Sequence, residues 1–497
     1  MTPPAPTALI VGTARSVQDV LHQLAIAEPR PCVVGCVLPA SAVGQADPGC
    51  AVVGAFDDLD RVLGEWRTAG RPVDEVLVSL PQAMRDAIRQ VRAVLDRAQA
   101  RAMFLPTLSD QLAGRVSSAG WSGAAVGPEL SALVDRAPRP IDPDVVGESL
   151  HNQVVMVTGA GGSIGSELAR RTAAFRPAQL ILVDRAENPL FEIDRQLAAQ
   201  FPGLTRKTVL HDVTRASKTR ELLAKHRPDV VFHAAAHKHV PMMEDHPAEA
   251  VENNLYGTRS IADAADAEGV GRLVMISTDK AVRPSSMMGA SKRLAELYVQ
   301  DLARRSATRF AVVRFGNVLG SACSVLPIWS AQLAAGGPVT VTHTDMTRYF
   351  MTIPEAAGLV LQAGAIAEGG EVFLLDMGQP VRILDLAHRF LREQGFEPDV
   401  DVEVKITGAR PGEKLFEQLA YDAESAAPTP HESIRVWRSE PPNPAEVAQI
   451  MSRFDRLRDR QGDGRRLWED AAPAAVAQAV RASLPEMLTP HAVGATG

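Results

Sequence analysis

Apolar positions along the chain cluster into short runs separated by longer amphipathic stretches. TALIVGTA (7–14) reads as a buried strand, a helical stretch follows, and CVVGCVLP (32–39) reads as the next strand. Another strand–helix unit runs from EVLVSLP (75–81) to about residue 99, and FLP (104–106) closes a further strand. Apolar runs that alternate with helices suit a parallel sheet, whose strands are covered on both faces. RAPRPIDP (136–143) then places three prolines in eight residues. Proline blocks both helix interiors and central strands, so 136–150 is expected to be a linker. The alternation restarts at Gln153: VVMVTGA is a strand, GSIGSELARRTAA a helix, QLILVD a strand. TVLHDV, DVVFHAAA, RLVMIST and FAVVRFGN supply four more strands. Beyond Asn317 the pattern breaks into short strands and loops up to about residue 435, and the last sixty residues read as charged helices. The expected architecture is α/β, with two Rossmann-like, doubly wound parallel-sheet domains at 1–135 and 151–440. The second carries a small C-terminal substrate-binding lobe, and 441–497 forms a helical tail.

Composition narrows the partners. Hydrophobic residues make up 46% of the 497 and charged residues 22%, with a formal charge of -7 and no long basic run. That excludes nucleic acid or an anionic membrane as the main partner. No stretch approaches the ~18 consecutive apolar residues of a membrane span, and MTPPAPTALIVG has no signal-peptide pattern. The expectation is a cytoplasmic protein without membrane insertion. The four cysteines form no CxxC pair and no disulfide framework. Cys32 and Cys36 alternate with apolar residues and are expected to be buried core thiols in a reducing compartment.

The first candidate chemistry lies in TGAGGSIG, which follows a strand and opens a helix. Gly159 permits a tight turn, Gly162 lets the backbone approach a pyrophosphate, and Gly165 allows close helix–strand packing. The helix N-terminus presents free N–H groups to phosphate. Asp184 ends the next strand, where a carboxylate suits the adenosine ribose hydroxyls, while Arg185 beside it would accept a 2′-phosphate. NAD is therefore the expected cofactor, with NADP as the alternative. Asp212 and Val213 are placed to touch adenine; Ser163, Ile164, Ala234, Ala235 and Ala236 complete the cofactor set. The N-terminal turn, VGTARSVQ, has one glycine, Gly12, and side chains at Ala14 and Ser16 would crowd a pyrophosphate. No cofactor is assigned there. His233, His237, His239 and His246 lack a standard ligand spacing, so no metal is expected.

The second lies in STDKAVRPSSMMGASKRLAE. Lys292 follows Met288 by one helical turn, on the same face. Short-chain dehydrogenases usually place tyrosine where Met288 stands, and a thioether cannot accept a proton. This segment resembles one family together with the glycine segment, HAAAHKHVPMMED (233–245), NNLYGT (253–258), RFGNVLGS (314–321), TRYFMTIPEA (347–356) and RPGEKLFE (410–417). It is the CapD-like polysaccharide-biosynthesis family of UDP-N-acetylglucosamine 4,6-dehydratases, which are extended short-chain dehydrogenases. The resemblance is close over about 130–435 and loose before it. Large members also carry methionine at the tyrosine position, though they usually begin with transmembrane helices, which this chain lacks. Two further departures are SACS (321–324) for the usual SRGS and Ser286 for asparagine.

The resemblance implies a UDP-sugar substrate, a homo-oligomer, and roles for Thr278, Asp279, Lys280, Met288 and Lys292. Our reading of the chemistry is that Lys280 removes the C5 proton, which requires a neutral amine. Asp279 takes the C4 hydroxyl proton and later gives it to the C6 leaving group. Thr278 bonds near the C4 oxygen and Lys292 holds the nicotinamide ribose. Lys238, Met242 and Asn317 are expected at the sugar, and Asn254 beside the active site, bonding its backbone. Arg348 and Arg410 are expected at the phosphates, and Glu413 at the uridine ribose. Two other readings stand beside this one: an epimerase or reductase on the same fold, and a catalytically impaired NAD- and UDP-sugar-binding regulator.

Overall fold

The computed structural model describes residues 7–24, 31–44, 47–69, 73–80, 84–98, 100–105, 139–394, 396–420, 426–437, 440–458 and 473–487. Two compact units divide the chain. One comprises Met1–Glu129 with Trp329–Val339 and Ala387–Lys405; the other comprises Leu130–Ile328, Thr340–Leu386 and Ile406–Gly497. Two stretches expected within the second domain, 151–440, thus group with the first unit.

The first unit holds strands β1 (Thr7–Gly12), β2 (Cys32–Leu38), β3 (Val52–Ala55), β4 (Glu75–Ser79) and β5 (Ala102–Phe104). Helices α1 (Ala14–Leu24), α2 (Leu59–Thr68) and α3 (Arg85–Ala98) connect them. All pairs are parallel, in the order β3-β2-β1-β4-β5. Leu9, Ile10 and Val11 of β1 are wholly buried, as a central parallel strand requires. Strand β3 and helix α2 escaped the sequence reading, because a four-residue run containing Gly54 gives too little apolar signal. Cys32 corrects another expectation: it is exposed, because it opens β2 at the sheet rim, whereas Cys36 is buried.

The second unit begins with α4 (Pro143–Leu150), which occupies the latter half of the expected linker. Asp142 explains the difference. Its carboxylate accepts from the N–H groups of Asp144 and Val145, and Pro143 at the first helical position loses no hydrogen bond. Val146 and Leu150 are buried in the core. The chain continues through β6 (Val154–Thr158), α5 (Ser163–Ala174), β7 (Gln179–Asp184), α6 (Glu187–Gln200) and β8 (Arg206–Leu210). Next come α7 (Ala216–His226), β9 (Val230–His233), α8 (Val240–Asp245), α9 (Gly257–Ala267) and β10 (Arg272–Ile276). They are followed by α10 (Met287–Ala303), β11 (Arg309–Arg314), α11 (Ile353–Ile366) and β12 (Val372–Leu375). The last elements are β13 (Ala426–Pro428), β14 (Ile434–Trp437), α12 (Pro444–Arg458) and α13 (Pro473–Ser483).

The resulting sheet runs β13-β14-β12-β11-β10-β9-β6-β7-β8. Its members from β12 to β8 are parallel, and β14 and β13 add an antiparallel edge. The order reverses between β6 and β9, the switch point at which open α/β sheets bind ligands. Helices α12 and α13 bury Val447, Met451, Phe454, Val476 and Val480 in the core that holds Leu294 and Tyr298 of α10. The helical tail is therefore part of this unit's packing. Among the described residues no helix is long and apolar enough to cross a membrane.

Candidate active site

The switch point forms a cradle. Gly159 has φ +67°, and a Cβ there would lie 2.7 Å from the Ala235 nitrogen. The glycine turn and the alanine segment after β9 thus meet backbone to backbone. A Cβ on Gly165 would lie 2.0 Å from the Gly159 carbonyl oxygen, so only glycine lets α5 start this close to the strand. Gly162 is the N-cap of α5 and makes no side-chain cap, so the first N–H groups have no partner from its own residue. Asp184 Oδ2 accepts from the Gly161 N–H at 2.9 Å and Oδ1 from the Ala186 N–H at 2.9 Å. The carboxylate is fixed at the end of β7, beside the turn. Gly161 was not singled out by the glycine spacing, yet a Cβ there would meet Pro189 at 2.5 Å.

Arg185 turns its Nη2 toward His237 Nε2, 3.1 Å away. Asp212 Oδ1 accepts from the Thr214 N–H, Val213 is buried, Ile164 packs on the core and Ala236 is exposed. Ala234 donates its N–H to the Thr158 carbonyl. Ser163 Oγ accepts from the Ala322 N–H at 3.1 Å, which lays the SACS loop on the start of α5. Lys238 Nζ holds the same loop through the Ala322 carbonyl at 2.8 Å. The backbone approach, the open helix terminus and the fixed carboxylate fit the pyrophosphate and ribose of a dinucleotide.

Beyond the end of β10 come Thr278, Asp279 and Lys280. The Asp279 N–H bonds the Phe315 carbonyl at 3.1 Å, carrying the β10–β11 hydrogen bonding past the last strand pair, Ile276 with Val313. Its carboxylate is wholly buried. Oδ1 accepts from Thr278 Oγ1 at 2.8 Å and from Lys280 Nζ at 2.9 Å, while Oδ2 has no hydrogen-bond partner. Lys280 Nζ also donates to Asn317 Oδ1 at 2.9 Å. Asn317, expected at the sugar, therefore orients the lysine. Gly316 makes room for this arrangement, since a Cβ there would lie 3.1 Å from Asp279 Oδ2.

Met288 and Lys292 are both buried on α10. Ser286 caps this helix by accepting from the Gly289 N–H, and Glu244 on α8 accepts from the Met287 N–H at 2.6 Å. Burial pushes the Lys292 ammonium down to about 8, and the nearby Glu296 only partly restores it. Glu296 itself is held by Arg314 at 2.8 and 2.5 Å and by Ser277 at 2.6 Å. His233 is buried, with Nδ1 at 2.7 Å from Thr158 Oγ1 and Nε2 at 3.1 Å from Thr258 Oγ1. Burial, reinforced by Lys292, lowers it to about 3. Both ring nitrogens are thus engaged, and among the described residues no group of three or more acidic, histidine or cysteine side chains is arranged for a metal.

The substrate candidates separate. Asn254, in a buried π-helical turn (Val251–Tyr256), accepts from the His237 N–H at 2.7 Å and donates to the His237 carbonyl at 3.0 Å and Ser291 Oγ at 2.9 Å. It braces the 237 loop and, wholly buried, has no surface for a substrate. Met242 is 57% exposed. Arg348 is buried, with Nη1 donating to the Thr347 and Leu415 carbonyls. Arg410, exposed, pairs with the mostly buried Glu413 side chain, Nη2 to Oε1 at 2.7 Å. Two residues of RPGEKLFE that the sequence reading did not single out, Lys414 and Glu417, are buried instead. Their motif was visible; their burial was not.

Comparison with known proteins decides the family. A polysaccharide biosynthesis protein family model matches residues 155–439. The chain belongs to this family. It is 41% identical over 370 residues to the capsular polysaccharide biosynthesis protein CapD of Staphylococcus aureus, covering 74% of this chain and 60% of CapD. The chain thus spans about three-fifths of that relative's length. It is 33% identical to an inverting UDP-N-acetylglucosamine 4,6-dehydratase of Campylobacter jejuni, covering 54% of this chain and 78% of that enzyme. Among solved structures, Pen from Bacillus thuringiensis superposes with a TM-score of 0.54 at 29% identity, over 59% of this chain and 90% of Pen.

Proposed function

We propose that this family member is an NAD(P)-dependent 4,6-dehydratase of a UDP-N-acetylhexosamine, UDP-N-acetylglucosamine first, serving bacterial surface polysaccharide synthesis. The observation that carries the reading is the wholly buried Asp279 carboxylate paired with Lys280 just past the end of β10, with a methionine in the tyrosine position. An epimerase or reductase needs a proton-transferring group at 288 and has no use for a buried acid–amine pair at this strand end.

Gly159, Gly162, Gly165 and Asp184 would hold the dinucleotide, and Lys292 its nicotinamide ribose. When bound, the nicotinamide takes a hydride from C4 and returns it to C6. Asp279 receives the C4 hydroxyl proton, with Thr278 at the same oxygen. Lys280 takes the C5 proton, Asp279 passes its proton to the C6 hydroxyl, and water leaves. Lys280 then returns its proton to C5 as C6 is reduced. Asn317 keeps the amine aimed throughout. Purified protein incubated with UDP-N-acetylglucosamine and NAD, followed by mass spectrometry and NMR, should show loss of one water, a new C6 methyl and no net NADH. An unchanged sugar across a panel of UDP-sugars would refute the reading.

A further inference from the structure

Lys238, expected at the sugar, gives both of its side-chain hydrogen bonds to the loop Ser321–Ser324. Its Nζ donates to the Ala322 carbonyl at 2.8 Å and to Ser321 Oγ at 3.4 Å. The N–H of the same Ala322 donates to Ser163 Oγ at 3.1 Å. Ser163 is the first residue of α5, in the turn that fits a pyrophosphate. One residue of the loop is therefore held from two sides, by the cofactor turn and by the segment after β9. The loop also fixes its own shape. The Ser324 N–H donates to the Ser321 carbonyl at 3.0 Å, and Ser321 is buried. Cys323 has φ +56°, a left-handed conformation that a residue other than glycine keeps only where its surroundings impose it.

Charge says what such a loop would cover. Among the described residues Lys238 meets no carboxylate; its partners are a carbonyl and a hydroxyl, so its positive charge stays uncompensated. The N-terminus of α5 has the same sign. Ala322 takes the hydroxyl of Ser163, so the loop crosses the turn without using the helix N–H groups at that contact. We propose that Ser321–Ser324 is a strap over the phosphates of the dinucleotide, closed by Ser163 and Lys238, with the Lys238 ammonium as its cationic contact. The strap rests on the reading of the glycine turn as a dinucleotide site. It suits a reaction that returns its hydride, because the cofactor then has no need to leave between turnovers. Lys238 thereby belongs to the cofactor rather than to the sugar.

The test times release of the cofactor. The full chain is loaded with NADH or NADPH, whichever it holds, and the fluorescence is followed after a chase with excess oxidised dinucleotide. Lys238→Met and Ser163→Ala should each speed release by about tenfold. Either cut opens the same strap, so the double variant should release little faster than a single one. Independent contacts would instead multiply to about a hundredfold. Lys238→Arg can still donate to the Ala322 carbonyl and should restore most of the parent rate. A purely structural role would lower the thermal midpoint and leave release from the folded protein unchanged. Unchanged release in folded Lys238→Met, or effects that multiply in the double variant, overturn the strap. Weakened UDP-N-acetylglucosamine binding in Lys238→Met, with release unchanged, overturns it too and returns Lys238 to the sugar. A chain that holds neither dinucleotide overturns strap and cradle together. Wild-type protein that holds the dinucleotide but dehydrates no UDP-sugar overturns the functional reading alone, because release needs no turnover.

Discussion

The two parallel sheets start from the same plan and end in opposite chemistry at their first turn. In the first unit, β1 ends at Gly12, and Ser16 fills the turn. Its Oγ donates to the Ser79 carbonyl at 2.5 Å and accepts from the Thr13 N–H at 2.9 Å. In the second unit, β6 ends at Thr158, Gly159 follows, and what fills the equivalent space is backbone alone. The first turn bonds its polar groups internally through Ser16 and Thr13; the second has no side-chain cap on its helix N–H groups. A parallel α/β sheet therefore does not specify a dinucleotide site. The site is made by side chains that are missing, and by a carboxylate held at the end of the neighbouring strand.

The sharpest way to break this contrast is to fill the second turn. Gly165→Ala would put a Cβ 2.0 Å from the Gly159 carbonyl oxygen, with backbone on both sides and nothing flexible to move. NAD binding measured by calorimetry should disappear, with a loss of at least 100-fold. The control is Gly64→Ala in α2, where a Cβ meets nothing within 4 Å. That change should stabilise the first unit by about 0.5–1 kcal/mol and leave NAD affinity alone. Retained affinity in Gly165→Ala would remove the cradle from the argument.

Next in size is the acid in the turn after β10. Asp279→Asn keeps shape and burial but can neither accept nor return a proton. It should lower kcat by about 10²–10⁴-fold while NAD still binds. Full activity in this variant would sink the shuttle, and lost NAD affinity would mean that Asp279 is structural.

The sequence showed this contrast only in part. The second sheet was legible because its strands are unbroken runs such as VVMVT and QLILVD, and its turn because glycine spacing is a local property. The pairing of Asp279 with Lys280 was legible because the two are adjacent. Lys414 and Glu417 were not, because charged residues in a loop read as solvated and burial is set by what packs on them from elsewhere. Asn254 bonds backbone as expected, at His237, and the further bonds of Asn254 to Ser291 and of Asn317 to Lys280 had no local signal. Each holds a protein group, and side-chain direction is decided by tertiary contacts. Pro143 misled because the same residue that breaks a helix interior is favoured at a helix start.

Acid should separate the two units by a smaller margin. At the end of β9, His233 is buried and neutral, lowered to about 3. In the first unit β4 ends instead in Ser79, which does not titrate. A histidine with a depressed folded-state value contributes stability that is present above its unfolded value near 6.5 and is lost as pH falls toward about 3. The loss approaches about 1.4 kcal/mol per pH unit across that window. Hydrogen exchange between pH 7 and 4 should show protection falling at β6 and β9 sooner than at β1 and β4. His233→Gln should flatten the slope in the second unit; an equal slope would assign the acid sensitivity to other groups.

The smallest effect tests the contrast from the other side. Ser16→Gly empties the first turn and gives it the side-chain poverty of the second. The loss of the Ser16 hydrogen bonds should lower stability by about 1 kcal/mol, read as a small drop in the denaturation midpoint. No dinucleotide binding should appear, for a reason beyond the turn itself. The second unit fixes Asp184 at the end of β7 through the Gly161 and Ala186 N–H groups. The first unit ends its corresponding strand, β2, in Leu38 followed by Pro39, with no carboxylate to take the ribose hydroxyls. An opened turn without that partner lacks half of the recognition. Binding gained by Ser16→Gly alone would show that the missing side chain is sufficient, and that the carboxylate refines a site the glycines already make.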